Sequence, residues 1–219
     1  MNKKIIGIVC ALVIMIICVV INVLHSNRII SDNKKRVMED KDVEVVDKEN
    51  EEEKEKEENN PVTSKKVAVV YFSESGNTKK IAEYINENVK GTLFEIVPNE
   101  EYSEDDLNRD NTNSRSYTES KDINSRPKMK NSIKLDDYDV IYLGYPIWYN
   151  NVPRIILTFI DSSNLSGKIV IPFCTSNTND ISASLNTLKT YKSDIKWLDG
   201  KKLTDSKSEV ESWISTLKY

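Results

Sequence analysis

Apolar and polar positions follow two recurring patterns over residues 66–219. One pattern is a short, continuous apolar run, which is typical of a strand buried on both faces of a parallel sheet. Runs of this kind predict five strands, at residues 67–72, 92–97, 139–143, 169–174 and 195–198. Pro172, inside the fourth run, is unusual in a central strand because proline has no N–H to donate.

The segments between these runs carry apolar residues three and four positions apart, which is the spacing of a helix with one buried face. Helices are predicted at residues 78–89, 153–160, 181–188 and 206–217. Gly91 suits the end of the first helix, and Pro153 suits the first position of the second. Strands that alternate with helices predict an α/β fold, here a doubly wound, five-stranded parallel sheet covered on both faces.

Residues 99–133 interrupt this alternation. They are rich in Asn, Ser and charged residues and contain few apolar ones, so no strand or helix is predicted there. A segment of this length without secondary structure is uncommon inside a compact domain, and it is usually either functional or disordered.

The N-terminal part of the chain has a different pattern. Residues 5–24 are 20 residues without a charge, which is about the length of a helix that crosses the core of a bilayer. Lys3 and Lys4 precede this run, and no small-residue cleavage site follows it, unlike in a signal peptide. We therefore expect residues 1–29 to form a single-pass anchor in the cell membrane.

The orientation of this anchor follows from the basic residues beside it. Lys3 and Lys4 favour a cytoplasmic N-terminus, which places the folded domain on the extracytoplasmic face. Arg28 and residues 34–36 (Lys-Lys-Arg) compete from the other side of the run. We expect the extracytoplasmic location.

Residues 30–65 connect the predicted anchor to the folded region. Within them, residues 39–58 hold 12 acidic and 4 basic side chains, and the whole segment has no aromatic residue. A segment of this composition cannot bury enough apolar surface to fold, so we expect an acidic, disordered linker. The folded domain then comprises residues 66–219.

Overall charge and histidine content exclude several classes of function. The 219-residue chain has a formal net charge of −4, which gives no general reason to bind nucleic acid. Its single histidine is His25, so residues 66–219 contain neither a Ser-His-Asp or Cys-His catalytic site nor a histidine-ligated metal site. Cys174 is the one cysteine of this region and cannot form an internal disulfide. We predict no metal site and no catalytic side chain.

The first loop with candidate chemistry follows the first strand. It reads Ser73-Glu74-Ser75-Gly76-Asn77-Thr78 and leads into the first helix. The unpaired N–H groups and the dipole of a helix start favour an anion, hydroxyls add donors, and glycine allows close approach of the backbone. A phosphate site is one interpretation, and simple capping of the helix by Ser75 or Asn77 is the other.

Two further loops follow the third and fourth strands. The third strand is followed by aromatic residues, with Tyr145, Trp148 and Tyr149 within five positions, and these rings can stack against a flat ligand or pack within the protein. The fourth strand is followed by small polar residues 175–180, which suit ligand contacts or a turn in which Asn179 or Asp180 caps the next helix. In a doubly wound sheet these loops converge on one crevice at the carboxyl ends of the strands.

Three segments carry a resemblance to a known family: residues 69–78 (VVYFSESGNT), 143–148 (LGYPIW) and 173–176 (FCTS). On these motifs the sequence resembles the flavodoxin-like FMN-binding family, in particular the group with Tyr-Pro-Ile-Trp after the third strand. The resemblance covers residues 66–219, including Tyr102 and Arg126-Pro127. Relatives often have a glycine-rich loop after the fourth strand, whereas residues 177–179 are Asn-Thr-Asn here.

The resemblance implies FMN as the cofactor. It implies that the first loop holds the phosphate, that Trp148, with Tyr145 or Tyr149, flanks the isoalloxazine ring, and that residues 175–179 meet its pyrimidine edge. The cofactor-binding residues so predicted are Ser73, Ser75, Gly76, Asn77, Thr78, Tyr145, Pro146, Ile147, Trp148, Thr175, Ser176 and Asn177.

These observations lead to three functional hypotheses. The first is a membrane-tethered FMN protein that transfers electrons to or from a redox partner protein or a small molecule. The second is a reductase that also binds a substrate, NAD(P)H or a quinone, in the same crevice. The third is a flavin-free interaction module on a membrane tether.

Overall fold

The computed structural model describes residues 65–219, where the chain forms six strands and five helices. In chain order they are β1 (Val67–Tyr71), α1 (Asn77–Val89), β2 (Thr92–Glu95), α2 (Arg115–Lys121), β3 (Val140–Pro146), α3 (Arg154–Ser162), β4 (Ile169–Thr175), α4 (Ser182–Tyr191), β5 (Lys196–Trp197), β6 (Lys201–Lys202) and α5 (Lys207–Thr216). The predicted membrane anchor and nearly all of the predicted linker lie outside the described residues. Within residues 65–219 no helix combines the length and the apolarity needed to cross a membrane.

The strands form one parallel sheet in the order β2-β1-β3-β4-β5, with β6 also paired to β4. Central strand β3 pairs with β1 on one side and, over all seven of its residues, with β4 on the other. Its side chains alternate between two cores: Ile141, Leu143 and Tyr145 lie in one, and Val140 and Tyr142 in the other. The predicted doubly wound parallel α/β sheet is therefore confirmed for the described residues.

Helix α3 shows why the apolar pattern selects these elements. Its predicted buried face, Ile155, Ile156, Phe159 and Ile160, is at most 3% exposed and packs on the first of the two cores. Burial of such side chains contributes about 1.5–3 kcal/mol each. Because the buried face holds α3 against the core, it also places the first residue of α3, which is where the aromatic loop that follows β3 ends.

The predicted single fifth strand is wrong in one respect, because the edge strand is divided into β5 and β6. The Leu198 N–H donates to the Val170 carbonyl, and the Leu203 N–H donates to the Cys174 carbonyl, each at 2.9 Å. Between these two points β4 presents Pro172, which has no N–H to offer a neighbour. The chain leaves the ladder there, and a side chain at Gly200 would place its Cβ 2.5 Å from the Pro172 carbonyl oxygen.

Residues 99–133, here called the insertion, are ordered and contain helix α2, which the sequence pattern did not predict. The insertion also contacts the chain just after β2, since Pro98 and Met129 form an isolated antiparallel bridge. The Asn131 side chain accepts a hydrogen bond from the Val97 N–H at 3.1 Å and donates to the Glu95 carbonyl at 2.7 Å. The insertion is therefore anchored along the outer edge of the sheet.

Candidate functional site

The carboxyl ends of β1, β3 and β4 open onto a cavity of about 480 Å³. This size falls within the range of small-molecule and cofactor sites. The cavity is lined by the loops after those three strands, by the insertion, and by the segment between β6 and α5. Its lining residues are Glu74, Ser75, Asn77, Lys80, Ile81, Leu107, Arg109, Ser116, Pro146, Ile147, Trp148, Tyr149, Thr175, Ser176, Asn177, Leu203, Thr204 and Asp205.

The start of α1 at this cavity is open to a ligand. The residue before the helix is Gly76, whose φ of 81° places it in the left-handed region that glycine tolerates best. Among the described residues, no side chain caps the helix, so its first N–H groups are available to an anion. The Asn77 side chain instead donates to the Ser75 hydroxyl at 3.2 Å. The alternative that Ser75 or Asn77 simply caps the helix is not supported by this geometry.

Two other hydroxyls of the first loop lie behind the cavity wall. The Ser73 Oγ is buried and has no hydrogen-bond partner among the described residues. Thr78 is 1% exposed, and its hydroxyl is 2.8 Å from that of Thr175, which joins the first and fourth loops. A buried hydroxyl without a partner costs free energy. Neither Ser73 nor Thr78 lines the cavity, so the groups of this loop that can meet a ligand are the open α1 start and the Ser75 hydroxyl. The loop therefore fits a phosphate group.

Trp148 and Tyr149 are the aromatic residues of the third loop that line the cavity, and Trp148 is held by other rings. Its ring is half-buried and packs edge-to-face against Phe72 at 5.4 Å and against Tyr102 at 5.1 Å between centroids. The backbone reverses directly after it: Tyr149 and Asn150 have φ values of 49° and 61°, and the backbone groups of Trp148 and Asn151 bond to each other at 2.9 and 3.0 Å. This tight turn, of type I′ by its positive φ values, fixes where the indole lies.

Tyr145 does not lie where the family resemblance suggested. Its side chain is 0% exposed in the core, and its hydroxyl is 3.2 Å from that of Ser184 on α4. Because residues alternate between the faces of β3, its ring points into the core and does not line the cavity. The prediction that the Tyr145 ring could flank the flavin is corrected on this ground. Tyr149, which does line the cavity, is the remaining tyrosine of that pair.

The fourth loop reaches the cavity as expected, with Thr175, Ser176 and Asn177 all in its wall. The loop is braced from within, since the Asn179 N–H donates to the Ser176 hydroxyl at 3.0 Å. The N-cap of α4 is Ile181, so neither Asn179 nor Asp180 holds that position, but the Asp180 carboxylate accepts from the N–H of Ser182, the first residue of the helix. A turn and a ligand-facing loop are therefore both present in this segment.

Sequence reasoning missed the charged and insertion residues of the cavity wall. They include Glu74, Lys80, Arg109, Ser116 and Asp205. Lys80 and Asp205 form an ion pair at 2.6 Å between α1 and the segment before α5. Lys80 could have been predicted, because it lies one turn into α1 and so close to the first loop. Nothing in the pattern of the insertion indicated that Arg109 or Ser116 reaches the site.

Glu74 places a carboxyl group in the first loop, at the wall of the cavity. Burial raises the pKa of its carboxyl above the ordinary value, and the negative charges of Glu101 and Glu95 add to the rise. The Arg115 guanidinium acts in the opposite direction. The ionised form of Glu74 is thus disfavoured at a place where a ligand anion would disfavour it further.

A doubly wound parallel sheet in the order β2-β1-β3-β4-β5, with a cavity at the carboxyl ends of β1 and β3, is the arrangement of the flavodoxin-like class. A family model for flavodoxin matches residues 66–217, and the chain belongs to this family. The flavodoxin-like resemblance read from the sequence is therefore confirmed. No curated protein matches the chain.

Solved structures agree with this assignment. A protein assigned as a flavoprotein from Bacteroides uniformis is 42% identical, with a TM-score of 0.68, over 69% of this chain and 98% of its own. A second such protein, from Bacteroides eggerthii, is 37% identical with the same TM-score, over 71% of this chain and 100% of its own. A flavoprotein from Lactobacillus acidophilus, crystallised in complex with FMN, shares the fold at 24% identity and a TM-score of 0.54, over 69% of this chain and 99% of its own.

Proposed function

We propose that the cavity binds FMN and that the protein is a membrane-tethered redox protein of the flavodoxin family. One observation carries the proposal: an α1 start without a side-chain cap and the half-buried ring of Trp148 belong to the same cavity of about 480 Å³. The first suits a phosphate and the second a flat aromatic ring, and FMN carries both. Family membership and the FMN complex of the Lactobacillus acidophilus protein support the same cofactor.

The residues divide the binding of FMN between the loops. The N–H groups at the start of α1 and the Ser75 hydroxyl would hold the phosphate. Trp148 would lie beside the ring system, with Tyr149 next to it. Residues 175–177 would meet the polar edge of the ring through backbone and hydroxyl groups.

The chain's own side chains leave the redox step to the cofactor. FMN supplies electron and hydride transfer when it is bound, and the protein supplies binding, orientation and electrostatics. Residues 66–219 have no histidine to move a proton. Cys174 is 0% exposed, and burial raises the pKa of its thiol to about 12, so it is not a reactive thiolate. Electron transfer to a partner protein or a small molecule is consistent with this set of residues.

Membrane attachment is the second part of the proposal. It is supported by the uncharged run at residues 5–24 and by the acidic, aromatic-free composition of residues 30–65. In this arrangement the flavin domain would be joined through the acidic linker to an anchor in the cell membrane and would lie on the extracytoplasmic face. The redox partner would then be a protein or a small molecule that reaches that face.

The absorption spectrum tests the cofactor assignment directly. We expect the full chain, purified in detergent, and the fragment 61–219 both to show flavin absorbance, or to gain it when FMN is added. A protein that stays colourless with added FMN would leave the flavin-free interaction module as the function. Oxidation of NAD(P)H by the flavin-loaded protein without a partner would favour the reductase over an electron carrier.

A further inference from the structure

The Trp148 ring is in contact with a residue of the insertion. Trp148 packs edge-to-face against two rings, with interplanar angles of 79° to Phe72 and 76° to Tyr102. Phe72 directly follows β1 and is 1% exposed, so it belongs to the fixed core. Tyr102 belongs to the insertion and is 7% exposed. The position of Tyr102 therefore decides how firmly the indole is held.

Tyr102 is itself held by an ion pair on α2. Its hydroxyl donates to Glu119 Oε2 at 2.6 Å, and the Arg115 guanidinium lies 4.0 Å from the centre of its ring. Arg115 Nε donates to Glu119 Oε1 at 2.7 Å, and Arg115 also donates to the Glu100 carbonyl at 2.9 Å. Hydrogen bonds to charged groups and a cation over an aromatic face are among the stronger contacts at a half-buried site.

Helix α2 is in turn tied to the element that follows the Trp148 loop. Arg154, the first residue of α3, is 7% exposed and donates to the Glu119 and Ser120 carbonyls at 3.2 and 2.7 Å. A cation at the end of a helix also interacts favourably with its dipole. The insertion is therefore joined to the aromatic loop in two places: through Tyr102 at Trp148 itself, and through Arg154 at the start of the helix that follows the loop.

We propose that Tyr102, Glu119 and Arg115 act as positioning residues, which fix the Trp148 indole for contact with the flavin and so set the affinity and the potential of bound FMN. This inference rests on the proposed function. It assigns the insertion a role of its own, the positioning of Trp148, in addition to the roles of the three loops after the strands.

The physical reason is the cost of ordering the ring. An indole that is already held in one orientation loses little conformational freedom when the flavin binds, whereas a mobile one must be ordered at that moment. Burial and the Glu119 carboxylate raise the pKa of Tyr102, so its hydroxyl stays protonated and keeps donating. Removal of the hydroxyl would leave the aromatic contact in place but free the Tyr102 ring to move.

The chain offers a matched control away from the cavity. The Tyr191 hydroxyl donates to Asp161 at 2.6 Å, the Arg126 guanidinium lies 5.0 Å from the Tyr191 ring centre, and Arg126 pairs with Asp161 at 3.0 Å. This cluster also combines a tyrosine hydroxyl, a carboxylate and a guanidinium, and it differs in that Arg126 donates to the Tyr191 hydroxyl at 2.8 Å. None of its members lines the cavity. A purely structural effect of losing a bonded tyrosine hydroxyl should lower the melting temperature at both places and leave flavin binding unchanged.

The test compares Tyr102→Phe with Tyr191→Phe in the full-length protein in detergent. The measurements are the FMN Kd, the fluorescence of bound FMN, the midpoint potential and the melting temperature of the apo-protein. We expect Tyr102→Phe to raise Kd by about three- to tenfold, as partial loss of a stacking contact, with brighter bound flavin and a shifted potential. Tyr191→Phe should lower the melting temperature similarly and leave the three flavin measurements at wild-type values.

Two results would decide against the inference in different ways. If wild-type protein binds no FMN, the proposed function is wrong and the inference falls with it. If the wild type binds FMN and Tyr102→Phe changes only the melting temperature, as Tyr191→Phe does, Tyr102 is a structural residue alone. Should Tyr102→Phe fail to fold, Glu119→Gln keeps an acceptor for the hydroxyl but removes the ion pair with Arg115, and the same four measurements apply to it.

Discussion

Replacement of Ser75 by Ala separates a phosphate site from a simple helix start. Ser75 is exposed, lines the cavity, and its hydroxyl has the Asn77 side chain as its hydrogen-bond partner, at 3.2 Å. It does not cap α1, so its removal takes nothing from the helix. Ser75→Ala therefore removes a group whose role depends on the ligand.

The size of the effect follows from the charge of the phosphate. A hydrogen bond to a charged group contributes about 1.5–3 kcal/mol, which corresponds to a loss of roughly 10- to 150-fold in affinity for FMN. Riboflavin has no phosphate, so its affinity should stay the same. The melting temperature of the apo-protein should hardly move, since an exposed surface substitution changes stability by less than about 0.5 kcal/mol.

The assay is a fluorescence titration of wild type and Ser75→Ala with FMN and with riboflavin, together with thermal melting. Ser206→Ala is the matched control, because the Ser206 hydroxyl does cap α5 by accepting from the Glu209 N–H at 3.3 Å. We expect the reverse result for Ser206→Ala: a stability loss of about 0.5–2 kcal/mol and unchanged flavin affinity. Equal loss of FMN and riboflavin in Ser75→Ala, or no loss of either, would refute the phosphate assignment of this loop.

Three further predictions concern other parts of the chain. Trp148→Ala should lose about 1–3 kcal/mol of FMN affinity, and the fluorescence of bound FMN should increase. If the mutant binds FMN as tightly as the wild type and the bound FMN is quenched equally in both, Trp148 does not stack on the flavin. Glu74→Gln should melt higher than wild type at neutral pH, because a carboxyl with a raised folded-state pKa stabilises the fold when protonated and loses that contribution as the pH rises through that pKa. A gap between the two melting temperatures that is the same at about pH 4 and at about pH 7 would contradict this sign. Finally, the full chain should stay with membranes in carbonate while the fragment 61–219 is soluble; native protein found soluble and cleaved near residue 26 would refute the anchor.

The apolar runs of the sequence located the sheet because strands buried on both faces must be apolar throughout. For the same reason they could not show which face each residue occupies. Tyr145 is the clear case: it was grouped with Trp148 by its place in the motif, yet it is the last buried residue of β3 and points into the core. A run without polar residues shows no alternation of polar and apolar positions, so it does not indicate which side chains point into which core.

The insertion could not be predicted because its contacts join residues far apart in the chain. Tyr102 and Glu119 are 17 positions apart, and Ser116 lies against the Tyr149 hydroxyl at 3.3 Å across 33 positions. Helix α2 has seven residues and buries only Ser116, so it has no apolar face to reveal it. Its contacts to the rest of the fold are polar, such as the Arg154 bonds to the Glu119 and Ser120 carbonyls, and contacts of this kind leave no periodic pattern in the sequence.

The break in the edge strand opposite Pro172 has a consequence for how these domains behave when crowded. An uninterrupted edge offers a row of free backbone groups on which a strand from another molecule can pair. Here β5 and β6 have two residues each, and the chain between them turns away from the ladder. At the opposite side of the sheet, Asn131 occupies backbone groups beside β2. Two molecules brought close together would find little continuous edge on which to join their sheets, so this fold resists edge-to-edge aggregation.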